Sequence, residues 1–423
     1  MLMFIALAVT LVFLAFGTHV AVALGLVTAG LVLLFDGVPT TVIAQTAFKS
    51  VNSYPLMAIP MFVLAGNLMM KGQIANLMIE LVGSVVRAVK GGLALTVLIT
   101  SVFFAAVSGS SVASAAAIGA STVEGLKREK YPARFSAAIV AVGGTLGLMI
   151  PPSLAFILIG SIVGLPVDKL FIAGLLPGLM EAIMLMIATV FFAKRNNYGA
   201  KAIRPDWRGF GRRLPGATAA LAMPVLVLGS IYTGFLTPTE VSAFAAAYAA
   251  LLCLFVYRSI TVGGMWGVAK DSLLQTTMIF AVVMGGSLAG FMLARMGVSA
   301  QLVSYITAME MSAWQFLLVV NVVLLILGMF LDGIALIVLT APLLFPIAIA
   351  LGIDPIHFAV IMVANVEIAT LTPPIGLNLF VMSGIAKIPV HEVARGVLPF
   401  YAVRVIGLML ITYVPAISLF LLR

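Results

Sequence analysis

Charged residues are scarce in this chain. Asp, Glu, Lys and Arg make up only 9% of its 423 residues, whereas an average soluble domain carries about 25%. Hydrophobic residues make up 63%. Too few polar side chains remain to cover a water-soluble surface, so the composition predicts a polytopic all-α membrane protein and excludes an ordinary soluble fold.

Cysteine and histidine are almost absent as well. The single cysteine, Cys253, lies in an apolar run, so no intrachain disulfide is possible. The three histidines are scattered, and with one cysteine they offer no cluster that could hold a transition metal. No P-loop, dinucleotide-binding turn or nucleophile–base pair is recognisable. We therefore predict no transition-metal site and no enzymatic activity.

The formal net charge of +9 predicts membrane orientation and not a nucleic-acid partner. The basic residues concentrate in short segments, as expected for the cytoplasmic loops of a membrane protein. The segment 194–213 is predicted to be such a loop, since Asp206 is its one acid beside these basic residues: Lys194, Arg195, Lys201, Arg204, Arg208, Arg212 and Arg213. The apolar run 2–16 has no basic residue ahead of it, which favours a first span over a cleaved signal.

Two proline pairs interrupt apolar runs, Pro151-Pro152 and, 222 positions later, Pro373-Pro374. Proline lacks the backbone N–H and clashes with the preceding turn, so consecutive prolines unwind a helix. Unwound backbone inside a bilayer must line a cavity or bind something. Interrupted spans at corresponding places in two halves of a chain indicate the binding site of a secondary transporter.

The rest of the chain is arranged similarly around each proline pair. We predict a first repeat over 1–193 and a second over 214–423, separated by the basic loop. Each repeat contains an amphipathic interfacial helix, a re-entrant hairpin and a proline-broken helix, at 73–90, 92–126 and 134–164 in the first and at 298–311, 316–351 and 356–386 in the second. Further spans are predicted near 20–35, 55–70, 170–192, 217–235, 241–257, 273–293 and 396–422.

The charge pattern predicts that the two repeats have opposite orientations. Basic residues surround the ends of the first hairpin, whereas the ends of the second hairpin have very few. The first hairpin should therefore enter from the cytoplasm and the second from the opposite side. Each half also has an odd number of predicted membrane crossings, so the second half begins on the opposite side of the membrane from the first. This count predicts the same inverted orientation independently of the charges.

The helix breaks are predicted to bind cations and an anion. Unpaired carbonyls at a break suit a hard cation such as Na⁺, and helix N-termini suit an anion. The first predicted cation site joins Gly147, Ile150, Pro151 and Pro152 to the turn Ser108, Gly109, Ser110 and Ser111, and the second joins Ala369, Thr370, Thr372, Pro373 and Pro374 to Asp332 and Gly333. Substrate contacts are predicted at Ser111, Ser153, Asp332 and Asn378, with Ser383 a further candidate. The alternative is that the prolines and serines only kink helices.

Four ionisable residues lie in apolar surroundings. Asp332 could hold a cation or a proton, or it could cap the helix that follows it. Glu181, Glu367 and Arg404 are explained equally well by pairing within the membrane and by extension of the side chains to its surface.

Several motifs together resemble the large membrane subunit of TRAP transporters, the DctM-like proteins. These motifs are the first hairpin and break, S-V-F-F-A-A-V-S-G-S-S-V-A-S-A through G-G-T-L-G-L-M-I-P-P-S, then G-F-L-T-P-T-E-V-S-A at 234–243, G-M-F-L-D-G, and T-L-T-P-P-I-G-L-N-L-F. The resemblance covers essentially the whole chain. It implies a Na⁺-driven elevator-type importer of organic acid anions in a bacterial inner membrane.

The resemblance also implies two protein partners and narrows the ion sites. The partners are a small four-span membrane subunit, expected as a separate chain, and a periplasmic substrate-binding protein. By resemblance the first Na⁺ site falls on Ser108, Ser110, Gly147, Ile150 and Pro152, and the second lies around the Asp332 turn and 370–372. C4-dicarboxylates, sialic acids, sugar acids and keto acids all remain open as substrates. The alternatives are an autonomous Na⁺- or H⁺-coupled carboxylate carrier, and a channel or scaffold.

Overall fold

The computed structural model describes residues 20–34, 41–72, 74–199 and 204–422, together with Val9, Phe13, Thr18 and Pro39. Every regular element in these residues is a helix. Seven helical segments of the described residues are long and apolar enough to cross a bilayer, if Ala133–Val163 is counted as one, and a bent pair could supply an eighth. The predicted all-α polytopic class is thereby confirmed. Most of the predicted span 2–16 lies outside the described residues.

The first half contains nine described helices: α1 Val20–Leu34, α2 Thr41–Val51, α3 Ala58–Lys71, α4 Ile74–Val86, α5 Gly92–Ser108, α6 Ser111–Arg128, α7 Ala133–Met149, α8 Leu154–Val163 and α9 Val167–Arg195. Helix α2 was not predicted, and it bends by 62° from the helical segment Pro55–Lys71. The predicted amphipathic helix corresponds to α4, whose buried residues include Met78 and Leu81 and which packs against α5 and α10, the helix that opens the second half.

The turn between α5 and α6 is very short because glycine and serine supply its ends. Gly109 ends α5 with φ of +61°, a conformation that glycine adopts readily. Ser110 then caps α6, its Oγ accepting a hydrogen bond from Ala113 N at 3.4 Å. The region predicted as the first hairpin is thus two helices joined at Gly109 and Ser110.

The second half contains ten: α10 Trp207–Tyr232, α11 Pro238–Leu251, α12 Val262–Arg295, α13 Val298–Ala308, α14 Ala313–Gly328, α15 Gly333–Ala350, α16 Pro355–Ala369, α17 Leu377–Ala386, α18 Val390–Tyr413 and α19 Pro415–Leu419. The structure corrects the boundaries of the predicted loop 194–213, since α9 extends through Arg195 and α10 begins at Trp207. Asp206 initiates α10 by accepting a 2.7 Å hydrogen bond from Gly209 N. The basic residues of its first turns remain exposed, so helix formation costs them no hydration.

Both proline pairs coincide with interruptions of helix. Helix α7 ends at Met149 and α8 begins at Leu154, while α16 ends at Ala369 and α17 begins at Leu377. Both Pro-Pro peptide bonds are cis. Helices α7 and α16 are almost completely buried and form the centre of the molecule.

The packing around these central helices is reciprocal between the halves. Helix α6 of the first half packs against α7 and also against α17 of the second half. Helix α15 of the second half packs against α16 and also against α8 of the first half. The second arm of each hairpin therefore contacts the broken helices of both halves, which brings the two short turns and the two breaks to one place.

Candidate functional site

The first break leaves backbone carbonyls without their helical donors. In an α-helix, the carbonyls of Gly147 and Leu148 would accept from the N–H groups of residues 151 and 152, but both positions are proline. Ser153 Oγ donates instead to Leu148 O. The Gly147 carbonyl has therefore lost its helical donor at this break.

The turn between α5 and α6 lies directly against this break. Leu154 N donates a hydrogen bond of 3.2 Å to Gly109 O. A Cβ atom at Gly147 would lie only 2.9 Å from Ser110 O, and one at Gly109 would lie 2.8 Å from Pro152 O. The two segments approach so closely because both positions are glycine. Four residues of the first predicted cation site, Ser108, Ser110, Gly147 and Pro152, thus belong to one contact region, and the fifth, Ile150, is buried in the break beside them.

Ser108 adds a hydroxyl oxygen to this region. Its Oγ lies 2.7 Å from Ser114 Oγ and 3.4 Å from Ser110 O. Ser108 is 1% exposed, so these hydroxyls are shielded from solvent. Ser114 was not recognised from the sequence, although its place one turn into α6 puts it on the face that carries Ser110.

The second break has the same arrangement at an offset of 222 residues. The carbonyls of Ala369 and Thr370 lose their helical donors to Pro373 and Pro374. Here Thr372 N donates to Ala369 O at 3.0 Å, and Asn378 N donates to Thr370 O at 3.2 Å. The second break consequently satisfies more of its own carbonyls than the first does.

The turn between α14 and α15 contacts the second break. Ile375 N donates to Met329 O at 3.1 Å, which parallels the bond from Leu154 to Gly109 at the first break. A Cβ atom at Gly333 would lie 2.4 Å from Val366 Cγ1, so this position also requires glycine for close packing. Gly333 and Thr370 line the same cavity, and a Cβ atom at Gly328 in α14 would lie 2.3 Å from Ala369 Cβ.

Asp332 caps α15. Its Oδ1 accepts a 2.7 Å hydrogen bond from Ala335 N. The capping role that the sequence left as an alternative is therefore present. The residue is only partly buried and it also faces two cavities, so capping and a contact with a bound ion are compatible.

A cavity of about 90 Å³ lies between the two turns and the two breaks. It is lined by the first residues of four helices, namely Ser111 of α6, Leu154 of α8, Gly333 of α15 and Leu377 of α17. Its lining also includes the predicted residues Ser110, Asp332 and Thr370. Because helix N-termini carry partial positive charge and unpaired N–H groups, four of them around one cavity favour an anion.

Two predicted substrate residues have structural partners instead of lining this cavity. Ser153 is fully buried, donates to Leu148 O and accepts from Phe156 N. Asn378 is also fully buried, and its Nδ2 donates to Ser111 Oγ at 2.6 Å and to Ala141 O at 3.0 Å. Asn378 Oδ1 has no hydrogen-bond partner among the described residues.

A buried ion cluster adjoins the breaks. Arg404 Nη1 lies 2.5 Å from Glu181 Oε2 and 3.0 Å from Glu367 Oε2. Arg404 Nη2 donates to Thr145 Oγ1. The sequence allowed two explanations for these residues, pairing within the membrane and extension to its surface, and the structure shows pairing. Thr145 and Glu367, which both contact Arg404, lie at equivalent positions before the two proline pairs, 222 residues apart.

Residues 7–417 match the family model of the tripartite ATP-independent periplasmic transporter, DctM component. This chain belongs to the DctM family. A DctM relative, the C4-dicarboxylate TRAP transporter large permease of Pseudomonas aeruginosa, is 39% identical over 94% of this chain and 93% of its own length. The sialic acid TRAP transporter large permease SiaM of Vibrio cholerae is 32% identical over 96% of this chain and 95% of its own length.

The DctM fold is also similar to that of a solved transporter. The YdaH transporter of Alcanivorax borkumensis matches with a TM-score of 0.64 over 95% of this chain and 97% of its own, at 14% sequence identity. At that identity the likeness concerns the fold alone. The family resemblance inferred from the proline and serine motifs is confirmed, and the chain is a multi-pass TRAP transporter large permease.

Proposed function

We propose that this large permease imports an organic acid anion together with Na⁺. The observation that carries the proposal is the cavity at which four helices begin, flanked by two breaks whose carbonyls have lost their helical donors. The N-termini provide positive potential for a carboxylate, and the carbonyl and hydroxyl oxygens provide ligands for a hard cation. Both charges can therefore be held within one small region.

The first Na⁺ site is proposed at the first break. Its oxygen donors are the Ser108 hydroxyl and the carbonyls of Ser110 and Gly147, with Ile150 and Pro152 completing the cage. The close approach of Gly147 to Ser110 supports this assignment, since it brings the Ser110 carbonyl oxygen against the first break.

The second Na⁺ site is proposed at the corresponding place in the other half. Its residues are Asp332, Gly333, Ala369, Thr370, Thr372 and Pro374. The hydrogen bonds already made to the carbonyls of Ala369 and Thr370 mean that the Asp332 carboxylate must supply a larger share of the ligand field here than any side chain does at the first site.

The substrate is proposed to bind in the cavity at Ser111 and Asp332. Ser111 offers a hydroxyl and the N-terminus of α6, while Asp332 acts through the cation beside it, because a bare carboxylate would repel an anion. Ser153 and Asn378 then stabilise the site through their hydrogen bonds to Leu148 O and Ser111 Oγ. Relatives named for C4-dicarboxylates and for sialic acid support an organic acid as the substrate of this chain.

An elevator mechanism with inverted repeats accounts for the arrangement of the helices. The hairpins and broken helices share reciprocal contacts, whereas α1, α2 and α3 pack against α12, which also contacts the hairpin arm α15. These two sets suit a moving transport domain and a fixed scaffold. The matching backbone bonds at the two breaks support an internal two-fold relationship.

The family implies the remaining parts of the system. We propose a bacterial inner-membrane location, a separate small four-span subunit, and a periplasmic protein that delivers the substrate. Inward movement of one net positive charge yields about 2.3 kcal/mol per 100 mV. Import of two Na⁺ with a monovalent anion would therefore be driven by voltage and by the sodium gradient.

Reconstitution in liposomes tests this function. Liposomes that contain the permease and its small subunit are given the binding protein and a panel of C4-dicarboxylates, sialic acids, sugar acids and keto acids. We expect uptake of one class that requires an inward Na⁺ gradient and the binding protein. Equal uptake without the binding protein would favour an autonomous carrier, and uptake that needs neither would favour a channel.

A further inference from the structure

A second cavity, of about 250 Å³, lies between α4 and the start of α10. It shares no lining residue with the cavity between the breaks. A water molecule occupies roughly 30 Å³ of the liquid, so this cavity can hold a group of several heavy atoms. Its lining includes three arginines, Arg87, Arg204 and Arg213, and two acids, Glu80 and Asp206. The excess of basic side chains favours an anionic ligand.

The cavity forms where one face of α4 meets the start of α10. Glu80, Ser84 and Arg87 recur at helical spacing and therefore share that face. Arg87 N donates to Gly83 O at 3.4 Å, so the helical geometry continues to Arg87. Asp206 N donates to Ser84 O at 2.9 Å, which attaches the start of α10 to α4. Gly83 leaves space beside the guanidinium, since a Cβ atom there would lie 3.6 Å from Arg87 Nε.

Two of the three arginines keep donors that no acid uses. Arg213 lies 3.9 Å and 3.7 Å from the two acids of the lining and is shared between them. Arg87 Nη2 pairs with Glu129 at 3.4 Å, but its buried Nε has no hydrogen-bond partner among the described residues. Arg204 forms no ion pair within the part of the chain that the structure describes. A buried donor without an acceptor is costly, and guanidinium groups match the oxygens of a phosphate.

The position of the cavity along the chain places it at the membrane surface. Helix α9 ends at Arg195 and α10 begins at Trp207, and both helices are long and apolar enough to cross a bilayer. Trp207 is 66% exposed, and tryptophan is enriched at the level of the lipid headgroups. The basic residues of 194–213 predict that this surface is cytoplasmic. Basic pockets between helices on that side bind anionic headgroups.

We propose that this cavity binds the phosphate group of an anionic lipid. Arg87 Nε and the Arg204 guanidinium donate to the phosphate oxygens, while Arg213 neutralises the two acids of the lining. Because one donor follows α4 and the other precedes α10, the bound lipid joins the first half of the chain to the second. This site requires neither Na⁺ nor substrate. A free phosphate ion offers the same acceptor oxygens, so the experiment must separate the two sources.

Thermal unfolding of the permease in nanodiscs tests this proposal. The discs contain phosphatidylcholine with an increasing share of phosphatidylglycerol, at constant ionic strength. We expect Tm to rise with phosphatidylglycerol and to reach a plateau, since a ligand that binds the folded state stabilises it. Inorganic phosphate added to pure phosphatidylcholine discs should not raise Tm. A wild-type Tm that does not respond to phosphatidylglycerol, or that rises equally with inorganic phosphate, would overturn the proposal.

Variants assign the effect to the cavity. The double variant Arg87→Gln/Arg204→Gln should lose at least half of the rise in Tm. The double variant Arg128→Gln/Arg195→Gln removes the same charge from exposed positions at the ends of α6 and α9, and it should keep the rise. Arg204→Gln alone should also reduce the rise, and it leaves the fold intact because Arg204 is exposed ahead of α10. A full rise in Arg204→Gln, or equal losses in the two double variants, would overturn the proposal.

Discussion

Asn378 Nδ2 donates a 2.6 Å hydrogen bond to Ser111 Oγ, which ties the second broken helix to the tip of the first hairpin. The same amide group donates to Ala141 O, on the first broken helix. One side chain therefore connects three of the segments that surround the cavity. Because these residues are 267 and 237 positions apart, their contact depends entirely on how the two halves are packed.

Asn378→Ala should destabilise the permease and slow transport. The substitution leaves the buried Ser111 Oγ without this donor, at a cost of about 1–3 kcal/mol, and it removes a second hydrogen bond to the Ala141 carbonyl, which lies inside α7. Asn196→Ala is the matched control, since Asn196 donates to Phe192 O at an exposed position. Thermal unfolding in detergent should show a lower Tm for the Asn378 variant only. Equal Tm values in both variants would contradict a structural role for this contact.

Gly147→Ala should weaken Na⁺ binding at the first break. The added Cβ would lie 2.9 Å from Ser110 O and 3.0 Å from Ser114 Oγ, so the turn must move away from the break. We expect the Na⁺ concentration for half-maximal uptake to rise at least tenfold, which corresponds to about 1.4 kcal/mol. Gly229→Ala in α10 is the control, because nothing lies within 4 Å of its added Cβ. An unchanged Na⁺ dependence in the Gly147 variant would argue against the first site.

Asp332→Asn and Asp332→Ala separate the two roles of this residue. Asparagine caps helices about as well as aspartate, whereas loss of a cap costs about 1 kcal/mol. Asp332→Asn should therefore keep the wild-type Tm but lose Na⁺ affinity, while Asp332→Ala should lose both. If Asp332→Asn transported with wild-type Na⁺ dependence, Asp332 would be a capping residue alone.

The membrane potential should accelerate uptake of a monovalent substrate. Two Na⁺ moving with one monovalent anion carry one net positive charge inward, so an inside-negative potential favours import. Liposomes loaded with K⁺ and treated with valinomycin can be set to chosen potentials at a constant Na⁺ gradient. Initial rates that do not depend on the potential would exclude this stoichiometry.

The sequence predicts the helix breaks well because their cause is local. Pro151-Pro152 and Pro373-Pro374 remove donors from identifiable carbonyls whatever surrounds them. Gly109 and Ser110 form a turn for a similar reason, since one accepts a positive φ and the other caps a helix. The family followed from these same motifs.

Tertiary contacts explain what the sequence could not predict. Ser153 and Asn378 are polar residues beside the breaks, and only the packed structure shows that each is buried against a structural partner. The convergence of Glu181, Glu367 and Arg404 is equally non-local. The predicted loop 194–213 extends too far along the chain because its basic residues are typical of a loop. Asp206 instead caps a helix on which those side chains stay exposed.

Na⁺-specific stabilisation of the purified permease tests the central claim most directly. A ligand that binds the folded state raises stability by RT ln(1 + [L]/Kd), so we expect Tm to rise as NaCl is added, and not with KCl or choline chloride at equal ionic strength. Ser108→Ala should reduce this rise while leaving membrane insertion intact. Identical Tm curves in the three salts, or a full Na⁺ effect in both Ser108→Ala and Asp332→Ala, would contradict cation binding at the two breaks.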